Sequence, residues 1–404
     1  MPDALDTLRT VQSPSAPDPE FGRALLERTL DGLDRAPIDP PPVMHDAPTL
    51  DDEVMDEALD LLAGTAAEFD LFGRGVCIAN HAPMTADALC ELGRPDAVME
   101  RTVRYRKYLT DAPRAWKTID ADDWRAALGD YDRAGDWVAF FERELADAPW
   151  TDVLDRWVPR LAAGSYGSGT HTVLRAAHAA RSLGRRHTPQ RLHELAEGLG
   201  FWAARYETLP EAIGLERALR PSDAFLELEQ LPLDDRRGWF LFTEPIDKLA
   251  ALDSFASATD LVDTSGDAAM FLDDLTDAYA HLLAANVSEV LPRALVHGLT
   301  AGTATRMLAP WLSPEATTIA LRYGWQLSAA WYAAMVLEPP VASPEAPARS
   351  RDELVDDAIA CGDEHAIKTL EVCLAAHVRR PDPIYLVAAH ETTRALLRTG
   401  LSLP

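Results

Sequence analysis

The chain has 404 residues, 47% hydrophobic and 25% charged, which are the proportions of an ordinary globular protein. Its 65 acidic residues outnumber 38 basic ones and leave a net charge of −27, a field that repels nucleic-acid phosphates and anionic lipid. Cys77, Cys90, Cys361 and Cys373 form no C-x-x-C pair, the N-terminus shows no basic-then-apolar leader, and no apolar run reaches the length of a membrane helix, so a reduced, cytoplasmic protein that binds neither nucleic acid nor membrane is expected.

Period-3.6 patterning dominates the chain and strand-like alternation is scarce. Residues 1–50 read as a partly irregular segment with one helix, closed by the Pro-rich "APIDPPPVMHDAP" (36–48). "DDEVMDEALDLLAGTAAEF" (51–69) predicts a helix with acidic residues in its first turn, where the helix dipole favours them. "DWVAFFERELADAPW" (136–150) is expected to start at an Asp136 cap and to stop before Pro149. The next helix, "PWTDVLDRWVPRLAAG", opens on that proline and ends at a glycine. "TPQRLHELAEGLGFWAARYETL" (188–209) has a Thr cap and a proline at its first position. Further helices are predicted at 243–258, 267–292, 294–309, 314–337, 351–378 and 383–399, with a Pro-rich linker at about 338–350. The expected architecture is all-α: a single large multi-helix domain over residues 51–404.

Eleven histidines are present. His45, His187, His193, His377 and His390 lie in polar or terminal contexts that suit surface or capping roles. Four others have apolar or glycine-rich settings. His81 stands in "ANHAPM"; His171 opens "GTHTVLRAAHAARSL" just after "GSYGSG"; His178 follows two turns later; His297 stands in "LPRALVHGLTAG". A lone histidine in an apolar helix is more often a satisfied core residue than a ligand, so each stays open on its own. Lys368, in "CGDEHAIKTLEV", has apolar neighbours and His365 three residues before it. Either it snorkels to solvent between Glu364 and Glu371, or burial lowers its pKa and leaves a neutral amine. There is no G-x-G-x-x-G, Walker A, G-x-S-x-G or H-E-x-x-H motif, and so no NAD(P)H or flavin fingerprint.

Seven segments, in this order and spacing, resemble the questin oxidase-like family: "NHAPM" (80–84), "LGRPDAV" (92–98), "ALGD" (127–130), "DWVAFFERELADAPWTDVLDRWVPRLAAG" (136–164), "GTHTVLRAAHAARSL" (169–183), "VHGLTAG" (296–302) and "DEHAIK" (363–368). The resemblance implies a largely helical oxygenase that acts on aromatic, anthraquinone-type polyketides with molecular oxygen, by hydroxylation, Baeyer–Villiger-like insertion or ring opening. It implies either cofactor-free chemistry or a non-haem iron held by histidines and a carbamylated lysine. Carried onto this chain, the candidate ligands are His81, His171, His297 and Lys368. Two positions depart from the family pattern: Met84 stands where a second histidine follows the first, and Arg175 where another follows His171 by four residues. His178 comes three residues later, about 10 Å along a helix from His171, too far to share one ion with it.

On this reading His81, His171 or His178 serves as the base, and Arg175 pairs with a phenolate or peroxide. Trp202, Trp325 and Trp331 are candidates to stack on a flat substrate. The alternative is a non-catalytic helical interaction scaffold. Convergence of His81, His171, His297 and Lys368 on one place separates the two: an enzyme requires it and a scaffold does not.

Overall fold

The computed structural model describes residues 49–70, 77–212, 217–237, 243–288, 290–342 and 344–399. The helix expected within residues 1–50 and the first Pro-rich stretch lie outside these, apart from the last two positions. The described residues are mostly helix, and among them the one sheet is an antiparallel hairpin of β1 (Glu68–Asp70) and β2 (Cys77–Ala79), with Phe69 opposite Ile78. The fold is all-α, as the periodicity indicates.

The first helix, α1 (Leu50–Leu62), begins at a Thr49–Asp52 capping box. It ends about two turns earlier than its apolar stripe suggests, because Gly64 adopts a left-handed φ of 72° and Phe69 goes to the hairpin. Two helices then carry the chain into the core: α2 (Ala82–Glu91) and α3 (Val98–Arg106). Helix α4 (Ala134–Asp147) starts two residues before the expected Asp136 cap. Asp136 instead accepts the backbone N–H groups of Trp116 (2.6 Å) and Lys117 (2.9 Å) and pairs with Arg133. Helix α5 (Trp150–Leu161) follows directly from Pro149. Trp124, Trp137, Phe140, Phe141 and Trp157 pack between these elements with ring centroids 4.9–6.2 Å apart, edge to face except for the stacked Trp137–Phe141 pair.

Helices α6 (His171–Arg185) and α7 (Pro189–Ala204) form an antiparallel pair, and the Thr188 hydroxyl caps α7 as expected. The predicted helix at 243–258 is broken: a four-residue α9 (Glu244–Asp247) follows the short α8 (Pro221–Glu227), and the rest is 3-10 turns. Then come α10 (Ala268–Asn286), α11 (Pro292–Thr300), α12 (Thr305–Leu308) and the long buried α13 (Pro314–Met335). The expected single helix at 294–309 splits into α11 and α12, where close approach of Gly302 to Gly324 and Ser328 on α13 leaves no room for a side chain.

The most consequential departure lies further on. The stretch predicted as one helix, 351–378, is two: α14 (Arg351–Cys361) and α15 (Glu364–Arg379). Gly362 ends α14 with a φ of 82°, and Asp363 caps α15 by accepting the His365 backbone N–H at 3.0 Å. The chain closes with α16 (Pro383–Thr399). Helix α2 packs on both α6 and α15, and α15 also packs on α11. Those four helices carry the candidate site.

Candidate metal centre

Four imidazoles meet where α2, α6, α11 and α15 come together. His81 is the N-cap of α2, His171 the first residue of α6, His297 lies near the end of α11, and His365 is the second residue of α15. His171 Nε2 stands 2.8 Å from His81 Nε2 and 3.1 Å from His297 Nε2. The His365 ring centroid is 5.0 Å from that of His81 and 5.2 Å from that of His297. All four side chains are buried. The ligand atoms of His81, His171 and His365 lie within 4.8 Å of one another, close enough to share an ion.

The other nitrogen of each ring is held by the fold. His171 Nδ1 donates to the Ser168 carbonyl at 2.7 Å, and His297 Nδ1 to the Ala294 carbonyl at 3.2 Å. His365 Nδ1 donates to the Asp363 carboxylate at 2.8 Å. His81 Nδ1 lies 3.3 Å from the Tyr105 hydroxyl, which in turn reaches the Ala79 carbonyl at 3.3 Å. Carbonyls and carboxylates only accept, so the proton of each such neutral ring sits on Nδ1 and Nε2 is left with a lone pair. Metal-binding histidines are oriented in this way. At the His171–His297 contact two lone pairs therefore face each other at 3.1 Å, an arrangement that a cation shared by the two rings would relieve.

A proton is a poor candidate for that cation. Burial pushes the pKa of each ring down, and the nearby Lys368 charge pushes it further. Helices α2, α6 and α15 also begin at the cluster, and the positive ends of their dipoles disfavour any cation there unless an anion accompanies it.

Lys368 lies on α15 one turn past Glu364 and is 2% exposed. It does not snorkel to solvent. Its Nζ has no hydrogen-bond partner among the described residues, nor has Glu364 Oε2. Desolvation brings the lysine down to about 8, while burial and Asp363 push the Glu364 carboxyl up to about 7. Around the cluster, Trp331 stacks on His297 with centroids 5.7 Å apart, and Arg293 pairs with Asp363 at 2.5 Å.

Thus His81, His171, His297 and Lys368 come together from four helices. The fourth ring, His365, is one that the sequence reading left as a mere neighbour of Lys368. Two expected site residues lie elsewhere. Arg175 is buried with its guanidinium bonded to both Glu194 (2.7 and 2.9 Å) and Glu197 on α7. His178 donates from Nδ1 to Asp87 at 2.9 Å, in an ion network with Arg181, Arg185 and Glu371. Both follow the α6 face as spacing requires, but they point at carboxylates of neighbouring helices. Trp202 and Trp325 are core residues, the latter donating to the Ala258 carbonyl at 2.8 Å.

The histidines close on one another and do not line a wide pocket. The cavity that adjoins the cluster, beside Tyr105 and Glu364, is about 10 Å³. A surface groove of about 570 Å³ lies apart from it, against α16 and the 345–349 segment.

Residues 78–200 match the family model Questin oxidase-like. That stretch is questin oxidase-like. It holds His81 and His171, while His297, His365 and Lys368 are supplied by helices beyond it. No curated protein matches the chain. The family points to an oxygenase-type oxidoreductase. No helix among the described residues is long and apolar enough to cross a membrane.

Proposed function

We propose that this protein is a metal-dependent oxygenase whose ion is held by His81, His171, His297 and His365, with Lys368, as its carbamate, completing the set. The observation that carries the reading is the pair of opposed Nε2 lone pairs at 3.1 Å, in rings whose Nδ1 protons are already committed to backbone carbonyls. An all-imidazole set suits iron, copper, nickel or zinc, and an added carboxylate shifts the balance toward iron.

When bound, the metal supplies activation of dioxygen. The rest of the work falls to the chain. Tyr105, Asp363 and the two carbonyls hold the ring tautomers and orientations. Burial keeps water out, which strengthens every electrostatic interaction within. Carbamylation turns a buried cation into an anion, and the three helix N-termini favour that anion. The same positive ends favour a phenolate or enolate brought by a substrate.

The substrate we propose is an electron-rich polycyclic aromatic of the anthrone or hydroxyanthraquinone type. Such a molecule needs a pocket of several hundred Å³, so its entry displaces side chains beside the cluster. The test combines elemental analysis of protein purified from cytosol with oxygen uptake on a hydroxyanthraquinone or anthrone. One transition-metal ion per chain, with oxygen uptake lost on chelation and restored by Fe(II), is the expected result. Undiminished uptake by metal-free protein, or a wild-type chain that takes up no transition metal, overturns the proposal.

A further inference from the structure

We propose that Glu68 is a positioning residue for the metal centre: from one pair of strands it sets the directions of the His81 and His171 rings. The inference rests on the reading of the histidine cluster as a metal site. Glu68 opens β1, and its side chain is 4% exposed. One carboxylate oxygen accepts the Ser168 hydroxyl at 2.6 Å. The other accepts Arg205 Nε at 2.8 Å and Nη2 at 2.5 Å. Arg205, just past the end of α7, sits over the Tyr131 ring, 3.9 Å from its centroid. Ser168 is thus tethered through an ion pair to β1 and to the end of α7.

Two hydrogen-bond routes leave this point, and each ends on a ring. Along the first, the tethered Ser168 turns its carbonyl to His171 Nδ1 at 2.7 Å. Along the second, Glu68 stands opposite Ala79 in the hairpin. The Ala79 carbonyl accepts the Tyr105 hydroxyl at 3.3 Å, and that hydroxyl meets His81 Nδ1 at 3.3 Å. The Nε2 atoms of the two rings stand 2.8 Å apart, so the register of one strand pair bears on their separation. Ser168 is held at a φ of 52°, a conformation that glycine adopts without cost. What serine adds there is the hydroxyl that reaches Glu68.

The test separates orientation from packing, with Co(II) as the probe metal on the full chain. Ser168→Gly cuts the tether but relieves the left-handed backbone, so the metal-free variant is expected to melt within about 2 °C of the wild type. Its Co(II) affinity, read by competition with a chromogenic chelator, is expected to fall about tenfold, the low end for loss of an outer partner. The visible Co(II) bands should shift with it. Glu68→Gln offers one oxygen where two are used and should weaken Co(II) several-fold. Both changes act on one tether, so the double variant should bind about as Ser168→Gly does. Wild-type affinity and bands in either folded variant overturn the inference, and so does an affinity loss in Ser168→Gly matched by a fall in its melting temperature. If Ser168→Gly does not fold, Glu68→Gln decides. A wild type that takes up neither Co(II) nor Fe(II) defeats the metal reading itself, an outcome distinct from variants that bind as the wild type does.

Discussion

Asp363→Asn isolates the contribution of the carboxylate behind His365. Asp363 Oδ1 accepts His365 Nδ1 at 2.8 Å and the His365 backbone N–H at 3.0 Å, while Oδ2 pairs with Arg293 at 2.5 Å. Burial pushes this carboxyl up, but the His365 ring and Arg293 outweigh it and hold the group at about 2. Asparagine is as good an N-cap as aspartate, so the start of α15 survives. Its amide oxygen still accepts from Nδ1, but without the charge that makes the ring more basic. Loss of such an outer partner typically weakens metal binding 10–100-fold, about 1.4–2.8 kcal/mol. Arg293, 13% exposed, also loses its counter-charge. The metal-free fold should therefore lose up to about 3 kcal/mol, the low end for a broken buried pair. Competition against a chromogenic chelator gives the first quantity, and a melt of the metal-free protein gives the second. Metal affinity within twofold of wild type, in a variant that folds, would refute the argument that Asp363 orients a ligand.

His365→Ala should lose bound metal as completely as His171→Ala by elemental analysis; metal retained in the first and lost in the second would remove His365 from the site. Arg175→Met should leave metal content unchanged but cost about 3–5 kcal/mol in a thermal melt, because Glu194 is then buried without its cation and Glu197 keeps only His193; an unaltered melt with lost activity would return Arg175 to the chemistry. The metal-free protein should lose stability as pH falls below 6.5. The buried rings have pKa values below that reference, so the unfolded chain binds protons that the folded one refuses, at up to about 1.4 kcal/mol per ring per pH unit. Denaturant midpoints that do not change between pH 7 and 5.5 would contradict this.

The helices were legible because their signals are local. Pro149, Thr188 with Pro189, and the acidic first turn of α1 are each read from a few residues, and each does in the structure what its chemistry dictates. The site was legible only where resemblance supplied it. His365 was missed because 351–378 was read as one helix, although "CGDEH" carries both a glycine stop and an Asp cap. Recognising that break puts His365 in a first turn beside three other helix ends, not on the flank of a long helix. Arg175 and His178 illustrate the complementary limit. Periodicity gives the direction of a side chain but not its partner, and the carboxylates that claim these two, Glu194, Glu197 and Asp87, lie on other helices.

The backbone just before His171 argues that the cluster is selected for more than packing. Ser168, Gly169 and Thr170 are all left-handed, with φ of 52°, 60° and 77°. Two of the three are not glycine, and Thr170 is β-branched and buried, where this conformation is least tolerated. At about 1–3 kcal/mol each, the two non-glycine residues cost a sizeable part of a typical domain's stability. The run folds the chain back so that the Ser168 carbonyl meets His171 Nδ1 at 2.7 Å, and it is fixed by the Ser168 hydroxyl on Glu68, which Arg205 also binds. A core histidine could be satisfied by a water or a hydroxyl at far lower cost. Strain of this size is spent on the orientation of one ring, and that orientation is the one that brings its free nitrogen to the nitrogens of His81 and His297.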